Sequence, residues 1–147
     1  MDPNCIFCRI VAREIPAVTI LETGETLAFL DINPIEKGHV LVIPKVHYPT
    51  LLETPDATVC HTMVVVRRIA AALMATGAEG VNVLQSNFAC AGQEVPHLHF
   101  HVIPRTSASK SMSWASGVGK YASSEERDQL TTRLRDAAAP LLPPPSV

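Results

Sequence analysis

The fold of this chain is decided by residues 92–105, which read GQEVPHLHFHVIPR and contain three of the six histidines. The pattern predicts a β-strand over residues 97–103 that Pro104 ends. Because side chains alternate between the two faces of a strand, the histidines share one face and the apolar residues between them point into the core. The histidines are His97, His99 and His101, and the apolar residues are Leu98 and Phe100.

Three imidazoles aligned on one face indicate a catalytic site. A single histidine in a strand is, in contrast, usually a solvated or hydrogen-bonded surface residue. Neighbouring cationic rings repel, so their pKa values fall unless an anion compensates. Partly neutral imidazoles suit nucleophilic or general acid–base work on an anionic substrate. One metal centre made by all three is disfavoured, because the outer two lie about 13 Å apart along a strand. One end histidine can still serve a metal beside the active site.

The rest of the chain predicts an α+β domain with an antiparallel five-stranded sheet, one long helix and a C-terminal helix. We expect a hairpin over residues 17–31, strands over 39–43 and 81–86, and the long helix over about 55–74, with Gly77 near its end. Capping-box spacing over residues 123–126 opens the second helix, which runs to about Ala138. Residues 1–138 are expected to form a single domain, followed by an extended or disordered proline-rich tail over 139–147.

Composition is that of one folded domain: 147 residues, 47% hydrophobic and 18% charged. The net charge of −2 gives no general attraction to nucleic acid or to an anionic membrane. No apolar run approaches the roughly 20 residues of a membrane span, and the N-terminus lacks a secretory profile. We therefore expect a soluble, cytoplasmic protein without nucleic-acid or membrane partners.

The four cysteines divide into a pair and two single residues. Cys5 and Cys8 form a C-x-x-C pair, which is typical of either a metal site or a redox site. No thioredoxin-like βαβ pattern surrounds the pair, so the metal reading is favoured. Cys60 and Cys90 stand in apolar surroundings and are expected to be buried small hydrophobes.

Residues 92–105 resemble the signature of the histidine triad (HIT) superfamily of nucleotide hydrolases and transferases. Three earlier blocks agree in the family's order: CIFCRIVAREIP over residues 5–16, AFLDINP over 28–34 and KGHVLVIPKVH over 37–47. Together the blocks cover roughly residues 5–105. The resemblance implies a HIT-like domain.

For the histidines, the resemblance implies a covalent reaction. His99 corresponds to the nucleophile that attacks the α-phosphorus and forms a nucleotidyl-histidine intermediate, which water then cleaves. His101 corresponds to the residue that contacts the phosphoryl oxygens, and His39 to a fourth histidine of the site. His97, the first histidine of the triad, completes the candidate catalytic set.

The resemblance also implies the residues that bind the nucleotide. Asp31 corresponds to the carboxylate that holds the ribose hydroxyls. The side chain of Gln93 and the backbone of Gly92 correspond to phosphate contacts, and Asn87 to a polar residue near the phosphates. The walls of the base pocket correspond to Ile6, Phe7, Phe29 and Ile32.

Glu94 departs from the family pattern. Several branches carry serine or threonine there, where the side chain positions the phosphate or protonates the leaving group. A carboxylate repels phosphate unless it is protonated or turned away. Because of this difference at Glu94, the sequence does not determine which leaving group the protein prefers.

A structural zinc ion, one per chain, is the expected cofactor. A closed zinc site needs four ligands, and Cys2His2 is a common set. Zinc-containing HIT proteins resemble this chain in having two cysteines, a distant histidine and the first histidine of the triad. Those ligands correspond to Cys5, Cys8, His47 and His97.

The leading interpretation is therefore a homodimeric nucleotide hydrolase that cleaves a P–N or P–O–P bond at the α-phosphate of an AMP-containing substrate. Family members pair through the long helix and an adjoining strand. Nucleoside phosphoramidase is favoured, and dinucleoside polyphosphate hydrolase or phosphorylase is the alternative. A hydrolase whose zinc activates water, and a non-catalytic nucleotide- or partner-binding protein, are hypotheses of other classes.

Overall fold

The computed structural model describes residues 1–109, 112 and 119–139. The part of the proline-rich tail from residue 140 onward lies outside the described residues, as does Trp114. The described helices and strands are, in chain order, α1 Ile6–Val11, β1 Thr19–Glu22, β2 Thr26–Leu30, β3 Val40–Pro44, α2 Asp56–Ala75, β4 Gly80–Leu84, β5 Phe100–Arg105 and α3 Ser124–Ala138. Short 3-10 turns span Leu51–Glu53 and Ala89–Ala91.

The strands form one sheet in the order β1-β2-β3-β5-β4, and every neighbouring pair is antiparallel. The predicted fold class is confirmed. Period-2 alternation divides the sheet into two buried faces. On one face α2 and α3 cover Leu30, Val42 and Val102. On the other face α1 packs over Leu27, Phe29, Leu41 and Ile43. His39 and His101 belong to this second face, because they continue its alternation along β3 and β5.

The helix ends follow the predicted signals. Gly77 follows α2 with a φ of +115°, a left-handed conformation that glycine adopts without a steric penalty. The Ser123 side chain caps α3 by accepting a hydrogen bond from the Glu126 backbone N–H. The six-residue helix α1 was not predicted, because one and a half turns are too short to show a helical period.

The histidine strand differs from its prediction at both ends. It begins at Phe100, so His97 and His99 lie before it in an irregular segment. The Leu98 N–H holds this segment by donating a hydrogen bond to the Tyr48 carbonyl oxygen at 2.6 Å. It also runs through Pro104, which was predicted to end it. The ladder with β3 ends at Val102, so beyond that point β5 pairs with β4 alone and proline is tolerated.

Three further expectations are corrected. Cys60 and Cys90 are exposed, not buried, since Cys60 lies on the outer face of α2 and Cys90 lies in a surface 3-10 turn. Strand β4 starts at Gly80 and ends at Leu84 instead of spanning 81–86. Helix α2 is long and apolar enough, by length and composition, to cross a membrane, contrary to the expectation that no segment is. Here α2 buries Val65, Val66, Ile69, Ala72 and Leu73 in the main core.

Candidate active site and metal centre

All five histidines of this region lie in one continuous cluster of ring contacts, which His47 joins through His97 with ring centroids 5.0 Å apart. The ring centroids of His99 and His101 are 5.0 Å apart, and those of His39 and His101 are 5.1 Å apart. The Phe7 ring contacts both His97 and His99, with its centroid 5.8 Å from the first imidazole and 5.3 Å from the second. The structure therefore brings the predicted His39 to the triad, although the strand that places it comes from a distant part of the chain.

The hydrogen bonding of His99 distinguishes its two ring nitrogens. Its Nδ1 lies 2.8 Å from the backbone carbonyl oxygen of His97, so Nδ1 carries the proton and donates it to that oxygen. In the neutral ring, Nε2 then holds a lone pair. His99 is 5% exposed, and this burial lowers its pKa from the ordinary value. The ring is therefore a neutral imidazole with Nε2 as its nucleophilic atom.

His39 and His101 form a hydrogen-bonded pair whose direction is fixed by the backbone. The Ile35 N–H donates to His39 Nδ1 at 3.1 Å, so the proton of the neutral His39 ring lies on Nε2. His39 Nε2 lies 2.9 Å from His101 Nδ1 and donates to it. The proton of neutral His101 is consequently on Nε2, where it is a hydrogen-bond donor. The pKa of each ring is lowered to about 4, for His39 by burial and for His101 by burial together with the neighbouring His39 and His99 rings.

Asp31 borders this pair at the end of β2. Its Oδ1 accepts a hydrogen bond from the Asn33 N–H at 2.8 Å, and its Oδ2 lies 3.5 Å from His39 Nε2 and 3.9 Å from His101 Nδ1. The three side chains have the spacing of a metal site. The His39 tautomer opposes that use, because the nitrogen that faces the cluster already carries a proton. The arrangement instead leaves the carboxylate beside a polarised imidazole pair.

The predicted phosphate residues shape the loop before the triad. Gln93 is buried, and its amide group joins the Phe88 N–H at 2.7 Å to the Pro49 carbonyl at 2.6 Å. Asn87 accepts from the Leu51 N–H at 2.9 Å. Gly92 has a φ of +89°, which favours glycine. Glu94 is exposed, and its charge raises the pKa of His99 against the larger effect of burial.

The four predicted base-pocket residues separate into two pairs. Phe7 and Phe29 are buried and meet edge to face, with ring centroids 5.8 Å apart. Ile6 is 46% exposed and Ile32 is fully exposed. Ile6 and Ile32 therefore present apolar surface to solvent, whereas the two phenyl rings belong to the core.

The predicted metal ligands converge at the N-terminus. Cys5 Sγ and Cys8 Sγ lie 3.4 and 3.7 Å from His97 Nδ1, and Cys8 Sγ lies 3.4 Å from His47 Nδ1. The four ligand atoms all lie within 4.8 Å of one another. His97 Nε2 donates to the Pro44 carbonyl at 2.9 Å, which leaves the Nδ1 lone pair facing both sulfurs. This donor set fits a tetrahedral cation, and a cation would also offset the burial that raises the pKa of Cys5.

Backbone groups select the active nitrogen of three of these rings, and no sequence pattern indicated those contacts. The Ile35 amide sets His39, the His97 carbonyl sets His99 and the Pro44 carbonyl sets His97. Every residue offers the same backbone donor and acceptor, so no side-chain pattern reveals such contacts.

This geometry agrees with the comparison to known proteins. The chain matches the HIT domain model over residues 12–108, so it belongs to the HIT family. It is 48% identical over 101 residues to a HIT-like protein of Methanocaldococcus jannaschii, covering 69% of this chain and 78% of that one.

Two similar relatives carry activities in their names. An adenylylsulfatase of Arabidopsis thaliana is 43% identical over 79% of this chain and 58% of its own length. An adenosine 5′-monophosphoramidase of Saccharomyces cerevisiae is 44% identical over 71% of this chain and 65% of its own length. The chain thus spans less than two thirds of these two named relatives.

Solved structures give the same result over more of the chain. A HIT-like protein from Bartonella henselae superposes with a TM-score of 0.82 at 35% identity, covering 93% of this chain and 98% of that one. A zinc-bound histidine triad family protein from Mycobacterium smegmatis superposes with a TM-score of 0.79 at 36% identity, covering 92% and 94%.

Proposed function

We propose that this protein hydrolyses the bond between the α-phosphorus of an AMP-containing nucleotide and its leaving group, through a nucleotidyl-histidine intermediate. The observation that carries the proposal is the single hydrogen bond from His99 Nδ1 to the His97 carbonyl. This hydrogen bond leaves Nε2 unprotonated, with a lone pair, on a neutral and buried ring. The phosphoramidase and adenylylsulfatase names of the relatives support an adenylate substrate.

The proposed reaction has two displacements. His99 Nε2 attacks the α-phosphorus, forms a P–N bond and expels the leaving group, which departs with the electron pair and takes a proton from solvent. The ring becomes cationic, and the His97 carbonyl that accepts its Nδ1–H stabilises that charge. Water then attacks the phosphorus and forms a P–O bond as the P–N bond breaks, the water loses a proton to solvent, and AMP and the neutral ring are released. His101 Nε2–H donates to the phosphoryl oxygens in both steps.

The nucleotide is held by the groups around the histidines. Asp31 accepts from the ribose hydroxyls, and the base rests on Phe7, Phe29 and the exposed Ile32. The left-handed backbone at Gly92 allows phosphate to approach the loop that Gln93 and Asn87 brace. The negative charge of Glu94 influences which leaving groups the site accepts.

A steady-state comparison tests this function. We expect release of AMP from adenosine 5′-phosphoramidate, and His99→Ala should lower kcat at least a thousandfold because the covalent route is lost. His61→Ala is the matched control, since His61 lies on the exposed side of α2 beside Glu25. Faster turnover of diadenosine tetraphosphate would select the polyphosphate alternative. Nucleotide binding without turnover of either substrate would contradict an enzymatic function.

We further propose that Cys5, Cys8, His47 and His97 hold one structural zinc ion. Bound zinc would fix the N-terminal helix and the segment before β5 to each other. Metal analysis should give about one zinc per chain, and Cys5→Ser with Cys8→Ser should lose it. Cys60→Ser with Cys90→Ser, which alters only the exposed cysteines, should keep it. Immediate loss of activity on chelation would instead support a zinc that activates water.

A further inference from the structure

The described part of the C-terminal segment packs against the loop that carries Asp31 and His39. We call residues 31–39 the site loop and residues 119–126 the C-terminal strap. The strap lies outside residues 12–108, over which the family model matches. Its Lys37–Glu126 ion pair, 2.6 Å long, ties the two segments at the surface.

Gly119 lies directly against the backbone of the site loop. A Cβ built on Gly119 would lie 2.0 Å from the Pro34 carbonyl oxygen and 2.9 Å from the Glu36 nitrogen. Both atoms belong to the backbone, which cannot rotate away as a side chain can. Any larger residue at this position must therefore displace the site loop or the strap.

Tyr121 contacts the residue that immediately precedes His39. The Gly38 N–H donates to Tyr121 Oη at 3.0 Å, immediately before His39 in the chain. Gly38 is buried and has a φ of +93°, so the loop turns sharply at this point. The ring of Tyr121 packs against the main core, which holds the phenolic oxygen in place.

The position of the site loop determines which nitrogen of His101 carries a proton. The Ile35 N–H holds His39 as the Nε2–H tautomer, and His39 in turn makes His101 the Nε2–H tautomer. If the loop moves and Ile35 releases His39, both rings can exchange tautomers. His101 Nδ1–H would then donate to His39, and His101 Nε2 would become an acceptor that cannot bind a phosphoryl oxygen.

We propose that Tyr121, supported by Gly119, is a positioning residue that keeps the His39–His101 pair in the tautomer able to donate to phosphate. The effect on rate rests on the proposed function, whereas the effect on the rings does not. Because His101 acts on charge that develops during the displacement, loss of Tyr121 should lower kcat more than it raises KM.

The test is long-range ¹H–¹⁵N spectroscopy of the imidazole nitrogens in the zinc-loaded protein, with kinetics on adenosine 5′-phosphoramidate. The native protein should show His39 and His101 as Nε2–H tautomers. Tyr121→Phe should mix the two tautomers of both rings and lower kcat about tenfold, the loss expected for one hydrogen bond. Gly119→Ala should do the same by displacing the loop.

Two controls separate positioning from general loss of stability. Gly24→Ala adds the same methyl group where no atom lies within 4 Å, so its ring signals should match the native ones. Leu134→Ala opens a cavity at a fully buried site of α3 and should lower the melting temperature without mixing tautomers.

Native ring signals in both Tyr121→Phe and Gly119→Ala would overturn the proposal, as would equal mixing in Leu134→Ala. Altered tautomers in a protein that turns over no nucleotide would uphold the positioning role and contradict the proposed function.

Discussion

At the residue scale, the histidines of this cluster have different tasks because each ring has a different hydrogen-bond partner: a backbone group for His39, His97 and His99, and the His39 ring for His101. His97 turns Nδ1 toward two thiols, His99 keeps Nε2 as a lone pair, and His101 presents Nε2–H. Burial keeps these rings neutral, which suits the nucleophile and removes the repulsion that three cations would suffer.

Glu94 should set the preference for the charge of the leaving group. A carboxylate beside the nucleophile repels an anionic leaving group such as sulfate and tolerates an amine. Glu94→Gln, which keeps the shape and removes the charge, should raise kcat/KM for adenosine 5′-phosphosulfate relative to the phosphoramidate by about threefold to tenfold. The ratio is measured by competition between the two substrates. An unchanged ratio would mean that the carboxylate is turned away from the leaving group.

The buried pair His39 and His101 should make the fold sensitive to acid. Their folded pKa values of about 4 lie below the unfolded value of 6.5, so the unfolded chain binds more protons between these limits. Stability is fully present above pH 6.5 and falls as the pH drops toward 4, by about 2 kcal/mol per histidine at pH 5. Urea unfolding at pH 8 and pH 5 measures this difference.

The matched protein for that experiment is the double variant His39→Asn with His101→Asn. Acid release of a bound metal affects both proteins equally and cancels in the comparison. If the double variant loses as much stability as the native chain between the two pH values, the two rings are not the cause.

At the element scale, β5 and the segment before it connect the hydrophobic core to the histidines of the candidate site. The register pairs His101 with Leu41, and this alternation puts His101 on the same face as His39. Leu98 is fully buried in the main core between His97 and His99. It anchors the irregular segment to the opposite side of the sheet.

Leu98→Ala should therefore cost both stability and rate. The cavity should lower the free energy of unfolding by about 2–4 kcal/mol. Because Leu98 holds the segment that places His99, kcat should also fall, whereas Leu134→Ala should reduce stability alone. Denaturant titration and steady-state kinetics on both variants decide this, and equal retention of kcat would contradict an anchoring role for Leu98.

Much of this element structure was predictable. Alternation correctly placed Leu98 and Phe100 in the core, and capping signals correctly placed Ser123 at the start of α3. The start of β5 was not predictable, because a tertiary hydrogen bond from Leu98 to Tyr48 bends the chain out of the sheet. Pairing through Pro104 depended on which neighbour β5 has there, which local sequence does not contain.

The candidate site was predictable to a different degree for each group of residues. The blocks that resemble the HIT family located five histidines, Asp31 and both cysteines. The structure brings them together as two adjacent clusters. The contacts from Ile35 and Tyr121 were not predictable, since one comes from a backbone amide and the other from a segment beyond the resemblance.

At the scale of the whole molecule, the two faces of the sheet carry different features: one packs into the main core, and the other carries the candidate site. Helices α2 and α3 bury one face in the main core, and the histidines, Asp31 and the cysteine pair belong to the other. Substitutions of core residues within α2 and α3, such as Leu134→Ala, should therefore act on stability, and those among the histidines on activity. Helix α2 leaves Met63 and Met74 exposed, and the edge strand β4 exposes Val83 and Leu84.

We propose that this exposed apolar region of α2 and β4 pairs with a second copy of the chain. An edge strand with apolar side chains is a surface that soluble proteins usually cover. Val83→Glu should convert a dimer into a monomer in sedimentation velocity. Leu52→Glu, an equal change at a residue 74% exposed in the turn before α2, should stay dimeric. A native chain that sediments as a monomer would contradict the pairing.

The central claim is covalent catalysis by His99, and a single turnover quenched in alkaline denaturant, in which the P–N bond of a histidine adduct survives, tests it most directly. The native protein, in excess over ³²P-labelled adenosine 5′-phosphoramidate, is quenched within milliseconds and digested for peptide mass spectrometry. The account predicts an adenylyl group on the peptide that contains residues 97–103, attached to His99 and absent in His99→Ala. Rapid release of AMP without any labelled peptide, at every quench time, would contradict it.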